Sequence, residues 1–240
     1  MPKVSILLPV YNGEAYLEAC LQGVLSQTFT DFEVWIGDDG SRDRTWEILA
    51  RYADPRLHLV QHPQNLGLFG NLQTLAPKAT GEILRFLCQD DVLLPHCLAE
   101  EVAFYEGHPE VGVAFPKFQS VDTQGQVMSV AALHDLPPVC PIPLSVQLLY
   151  YHGCIAANLS PLSIRHSVFR EIGGFDVTMR ISGDYDLLSR AAVRYPLGVI
   201  HQHLLQIRSH ARQLSRSTGA NLRCLQENQR IRALLAPHFP

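Results

Sequence analysis

The chain has 240 residues, 47% of them hydrophobic and 18% charged, and a net charge of −4. That length can bury a substantial core, and the balance is globular rather than disordered. The charge argues against a surface that tracks nucleic acid, and no apolar run approaches the ~18 residues of a membrane span.

The opening "MPKVSILLPVYNG" lacks the length and cleavage site of a signal peptide; its Val4–Leu8 run predicts a buried strand, stopped by Pro9. Leu17, Cys20, Leu21, Val24 and Leu25 share one face at helical spacing. "FEVWIGDDGS" predicts a second strand running into an acidic turn, with Ser41 as N-cap of a helix that carries Ile48, Leu49 and Tyr52 inward. "RLHLVQH" predicts a third strand, "NLGLFGN" the start of a helix cut short by Pro77, and "EILRFLCQDD" a fourth strand. Strands alternating with helices in this order imply a parallel sheet covered on both faces.

Beyond Gly107 the alternation fades. "VGVAF" predicts a strand, "HDLPPVCPIP" an irregular connection, and "RHSVFREIGGFD" a short helix closed by glycines. "SGDYDLLSRAAVRY" predicts an amphipathic helix burying Leu187, Leu188, Ala191 and Ala192. A late strand in "LGVIHQHLLQIRSH" and a helix from about Asn221 to Leu235 follow. The six cysteines form no C-x-x-C pair and read as reduced core thiols of a cytoplasmic protein; the eleven histidines form no H-E-x-x-H.

In open sheets of this kind ligands bind outside the carboxyl ends of the strands. "PVYN" (Pro9–Asn12), "DDGS" (Asp38–Ser41), "HPQNLG" (His62–Gly67) and "QDD" (Gln89–Asp91) all fall there. Adjacent Asp90 and Asp91 read either as a polar turn after a buried strand or as a site for a divalent cation. Asp38 and Asp39 read equally as an acidic helix-capping turn.

In order, "VSILLPVYNGEAYLEACLQGVLSQTFTDFEVWIGDDGSRDRT", "NLG", "QDD", "GGFD" and "SGDYDL" resemble glycosyltransferase family 2, the inverting GT-A enzymes that use nucleotide-sugar donors. The likeness covers roughly residues 3–192, with a weaker "IRSHARQLSRS" beyond. It implies an α/β fold of GT-A (Rossmann-like) type: one domain, a mostly parallel sheet sandwiched between helices. Residues 1–100 would bind the nucleotide sugar and residues 101–240 the acceptor. It implies transfer from a nucleoside diphosphate sugar, uridine-linked, to a hydroxyl of a saccharide or other acceptor, in polysaccharide or cell-surface glycan synthesis. It further implies a cytoplasmic enzyme without a nucleic-acid partner, with peripheral contact to the inner membrane face compatible.

By the same resemblance Pro9, Tyr11, Asn12 and Asp39 line the nucleoside pocket, where Tyr11 stacks on the base and Asp39 accepts from a ring N–H. Asp91 ligates Mn2+ or Mg2+ with His210 as a further candidate ligand, Asp90 faces the ribose hydroxyls, and Arg208 or Arg212 holds the diphosphate. Asp184 takes the place of the catalytic base, against the simpler reading of a helix cap; Asp186 is structural, and "GGFD" shapes the sugar pocket. Two positions depart from the family pattern: Gln89 stands where many members have aspartate, and Gly183 where the usual residue is acidic. These departures favour the alternative of a non-catalytic sugar-nucleotide-binding protein. A dinucleotide-dependent oxidoreductase is disfavoured because "PVYNGE" lacks G-x-G-x-x-G.

Overall fold

Every residue of β1 (Val4–Val10) is buried, which is how a strand reads when both faces of its sheet are covered. A computed structural model describes residues 1–130, 136–211, 213–214 and 219–239 and shows what covers them. Val4, Ile6, Leu8 and Val10 face one core, with α1 (Leu17–Leu25), α2 (Thr45–Leu49) and α4 (Cys97–Gly107). Leu7 faces the other, with α3 (Leu68–Leu75), α5 (Ile142–His152), α6 (His166–Glu171), α7 (Gly183–Ala192) and α8 (Ala220–Leu235).

The ten strands among the described residues form one sheet. β3 (Leu57–Gln61), β2 (Phe32–Asp38), β1 and β4 (Ile83–Phe86) are parallel neighbours in that order. Their carboxyl ends therefore open onto one edge. β9 (Ser163–Arg165) then pairs antiparallel with both β4 and β6 (Val113–Val121), and β10 (Leu197–Arg208) runs parallel to β6. β5 (Val92–Leu93) and β8 (Val139–Cys140) pair antiparallel with β10, and β7 (Val127–Val130) with β6. The first half is thus parallel as expected, while the second mixes directions. Short β5 matters most: its pairing with β10 draws the "QDD" turn against the end of that strand, Gln206 standing opposite Val92.

Several local expectations change. Pro9 does not stop β1, because residue 9 faces the side that β4 has already left: Leu87 N–H, just past β4, donates to Leu7 O, and nothing of β4 remains to need a Pro9 N–H. Ser41 caps no helix; α2 starts at Thr45, whose N–H donates to Asp43 Oδ1. The fourth strand ends at Phe86, leaving Leu87–Asp91 as a turn. Inside the proline-rich connection lie β8 and the start of α5, whose first turn accepts Pro143 because the N–H groups there have no intrahelical partner; residues 131–135 lie outside the described residues. All six cysteines are free. No helix among the described residues is long and apolar enough to cross a membrane.

Candidate active site

At the carboxyl end of β1 the chain turns through Asn12, whose φ is 50°. Its N–H donates to Ser41 Oγ at 2.9 Å, and its Oδ1 accepts from Arg42 N–H at 2.9 Å, so the two loops after β1 and β2 are tied together. The next tie explains Gln89. Its Oε1 accepts from Tyr11 N–H at 2.8 Å while its Nε2 donates to Tyr11 O at 3.0 Å. An ionised carboxylate has no donor and could make only half of this pair. Gly13 makes room for it, since a Cβ there would lie 2.4 Å from Gln89 Oε1. Tyr11 itself is 42% exposed above this clamp.

Asp38 and Asp39 divide the work of the second turn. Asp38 is fully buried and accepts from Ser41 N–H at 3.1 Å. Asp39 receives Leu66 N–H at 2.7 Å on one oxygen and Gly67 N–H at 2.9 Å on the other, which fixes its plane across the gap to α3. Burial pushes its carboxyl up, against the pull of those two amides.

The "QDD" turn carries the densest charge. Asp91 is buried, and its Oδ1 accepts from Arg208 N–H at 2.8 Å. Burial and the neighbouring Asp90 push the Asp91 carboxyl up, with the Ser160 hydroxyl opposing. Asp90 keeps Oδ2 at 2.8 Å from His210 Nε2. Ligand atoms of Cys88, Asp90 and Asp91 lie within 4.8 Å of one another, the one group of this kind among the described residues. Burial holds the Cys88 thiol well above its usual range, so the donors available here are carboxylate oxygens. Adjacent carboxylate oxygens that concentrate negative charge suit a hard dication such as Mg2+ or Mn2+; the donor set fits the implied metal.

The structure brings Arg208 and His210 to this turn in particular ways. The Arg208 guanidinium donates to the main-chain carbonyls of Asp90 at 3.1 Å and Asp122 at 2.9 Å, and lies 4.8 Å over the ring of Tyr16. It braces the turn from behind. His210 sits 5.0 Å from the same ring and contacts Asp90 rather than joining the three-residue group. Arg212 lies outside the described residues.

Asp184 stands in the first turn of α7, its Oδ1 accepting from Tyr185 N–H at 2.8 Å. It is not the cap; Ser182 holds that position without a side-chain cap bond. Burial pushes the Asp184 carboxyl up to about 6. Its charge adds to burial, Asp91 and Asp90 in holding the Cys88 thiol up. Gly183 has a reason of its own: the Phe69 ring of α3 lies 2.6 Å from where a Cβ would stand. Asp186 is structural as expected, pairing at 2.7 Å with Arg190, which donates to Ile172 O and Gly174 O at the "GGFD" turn.

Sequence reasoning missed Tyr16, Ser160 and Glu227, and no local signal marks them. Their partners at the site lie far away in the chain. Ser41 was read as a helix cap and instead ties the loop after β2 to Asn12.

The family model described as glycosyl transferase family 2 matches residues 5–157. An uncharacterized glycosyltransferase of Rickettsia prowazekii is 27% identical over 237 residues, 94% of this chain and 69% of that one. One of Rickettsia felis is 26% identical over 90% of this chain, which spans only 35% of that relative's length. The crystal structure of S. aureus TarS 1–349 in complex with UDP-GlcNAc superposes with a TM-score of 0.81 at 21% identity, covering 97% of this chain and 66% of that one. Its complex with UDP gives 0.76 at 20% identity, covering 97% and 65%. The shared fold is GT-A. Asp184, Arg208 and His210 all lie beyond the matched family segment.

Proposed function

The chain belongs to glycosyl transferase family 2, and from that premise we propose that it moves a sugar from a uridine diphosphate sugar to a hydroxyl acceptor, inverting the anomeric centre in a single displacement. The observation that carries this reading is the gathering of ligand atoms of Cys88, Asp90 and Asp91 within 4.8 Å of one another after β4, on the sheet edge that also holds Tyr11 and Asp39. The complexes of TarS with UDP and UDP-GlcNAc support the choice of donor.

The geometry supports a role for each residue. Tyr11, an exposed residue just past the end of β1, would stack on the base beside Pro9. Asp39 is held edge-on by two amides and retains a lone pair on each oxygen for a ring N–H. Asp90, steadied by His210, is free on its other oxygen for the ribose diol. Asp91 would hold Mn2+ or Mg2+, with Arg208 bracing the turn and His210 next to it. A bound dication supplies Lewis-acid charge to the donor phosphates. Asp184 takes the proton of the acceptor hydroxyl as that oxygen attacks from the face opposite the diphosphate. A carboxyl titrating near 6 is ionised at neutral pH yet more basic than an ordinary aspartate, as a general base should be. We place the reaction in polysaccharide or cell-surface glycan synthesis on the cytoplasmic side.

The departures at Gln89 and Gly183 have partners in the fold, Tyr11 and Phe69, so neither requires a degenerate site. Calorimetric titration with a panel of nucleoside diphosphates, with and without Mn2+, tests the reading. Uridine diphosphate should bind tightest and need the metal; tighter binding of guanosine diphosphate, or metal-indifferent binding, would overturn the donor assignment. Hydrolysis of a uridine diphosphate sugar in the absence of acceptor separates an enzyme from a binder.

A further inference from the structure

Among the buried carboxylates absent from the roles above, one ends on a run of main-chain amides. Glu227, on α8, is 6% exposed and accepts three consecutive main-chain N–H groups: Arg180 at 2.8 Å, Ile181 at 3.0 Å and Ser182 at 2.8 Å. Successive amides converging on one carboxylate form a concave donor set that compensates its burial. These amides lead into α7, where Ser182 is the N-cap and Asp184 follows in the first turn.

We propose that Glu227 is a positioning residue for Asp184, its carboxylate fastening the 180–182 segment from which α7 and Asp184 start. The proposal rests on the reading of Asp184 as the base. The start of α7 has little else to define it. Ser182 makes no side-chain cap bond, its hydroxyl lying instead 3.6 Å from Cys224 Sγ of α8, and Gly183 is the most freely rotating residue available. Without the three bonds to Glu227, the base would hang from a loose turn. A misplacement of the order of 1 Å can cost about 10²-fold in rate.

Glu227 also acts on Asp184 through space, its charge adding to burial in pushing that carboxyl up. The other groups around Asp184 are accounted for element by element. Cys154, after α5, and Cys88, before β5, are thiols kept protonated by burial. Asp90 and Asp91 stand beyond Cys88. From α8 Arg232 reaches the Tyr185 hydroxyl, within α7 Asp186 is paired with Arg190, and α3 contributes only the Phe69 ring. Arg180 belongs to the fastened segment itself.

The test uses the full chain with aspartate labelled at the side-chain carboxyl carbon, and Asp184→Asn identifies the Asp184 signal. In the wild-type protein this signal should titrate near 6. Glu227→Gln, which keeps the shape and one acceptor oxygen, should lower the midpoint by roughly half a unit. It should also reduce hydrolysis of a uridine diphosphate sugar at pH 8 by about tenfold, leaving affinity for uridine diphosphate within about twofold. Arg230→Ala, on the same helix as Glu227 and removing only a solvent-facing pair with Asp176, should move neither the midpoint nor the turnover. An unmoved midpoint in Glu227→Gln, with turnover kept or lost, overturns the proposal, since a plain structural brace would behave so. Full turnover in Asp184→Asn overturns the base reading and this proposal together; loss in Asp184→Asn with no effect of Glu227→Gln overturns this proposal alone.

Discussion

The two halves of the molecule place their functional side chains by different means. In the first, parallel strands β1, β2 and β4 end on one edge, and whatever follows them is delivered there by the sheet. Tyr11 and Asp39 need only ties between neighbouring loops of that edge to be held. In the second, strands run in both directions, and no such edge exists. Asp184 arrives on a helix start fastened by α8, and Arg208 and His210 arrive because β10 pairs with the two residues of β5. Parallel topology makes a site by default; mixed topology makes one only through particular long-range bonds. The second half should therefore be easier to silence without unfolding.

The sharpest test of that contrast is Asp184→Asn. Turnover should fall by about 10²–10⁴, roughly 3–5 kcal/mol of barrier, with donor affinity unchanged. In the wild-type chain the base must be ionised, so turnover should drop as pH falls through about 6, by about tenfold per unit below it. A flat profile from pH 5 to 8 would remove Asp184 from the chemistry.

Next comes the seam between the halves. Arg85 on β4 and Glu101 on α4 are fully buried and 3.0 Å apart, and Arg85 Nη1 also donates to carbonyls of Ser160 and, at 3.0 Å, Leu162, ahead of β9. Glu101→Ala leaves the guanidinium uncompensated and should cost about 3–5 kcal/mol in urea unfolding. A loss below about 1 kcal/mol would mean the halves are joined by packing alone.

Asp91→Ala should weaken uridine diphosphate binding in Mn2+ by about 10–100-fold and leave binding in excess chelator unchanged. Calorimetry in the two buffers decides it.

Gln89→Glu should cost about 2 kcal/mol of donor affinity, because the Tyr11 carbonyl loses its donor and faces a charge. If the variant binds better in Mn2+, the position is a metal ligand and not a clamp. Smallest is Gly183→Ala, expected to cost about 1–2 kcal/mol of stability through the Phe69 contact. Phe69→Leu should recover part of it, a coupling that thermal melts of the double variant would reveal.

Much of this was legible in the chain itself. The alternation of apolar runs and helical faces led to β1–β4 with α1–α3, and the strand-end rule placed "PVYN", "DDGS" and "QDD" on one edge. Asp186, read as structural, is paired in the fold with Arg190 one turn along α7. Short elements such as β5 and β9 carried no periodic signal; two or three residues cannot show one. Pro9 misled because its cost depends on whether a neighbour needs its N–H, and only the length of β4 answers that.

Taken alone, the sequence determined the fold class and the identity of the acidic positions, because burial periodicity and turn chemistry are local properties of a chain. Tertiary structure decided their partners: Gln89 on Tyr11 at a separation of 78 residues, Asp91 on the Arg208 amide at 117, Asp90 on His210 at 120, and Glu227 on Ser182 at 45. Hydrogen bonds are directional and short-ranged, and which groups meet depends on strand register and helix docking. No spacing along the chain encodes those.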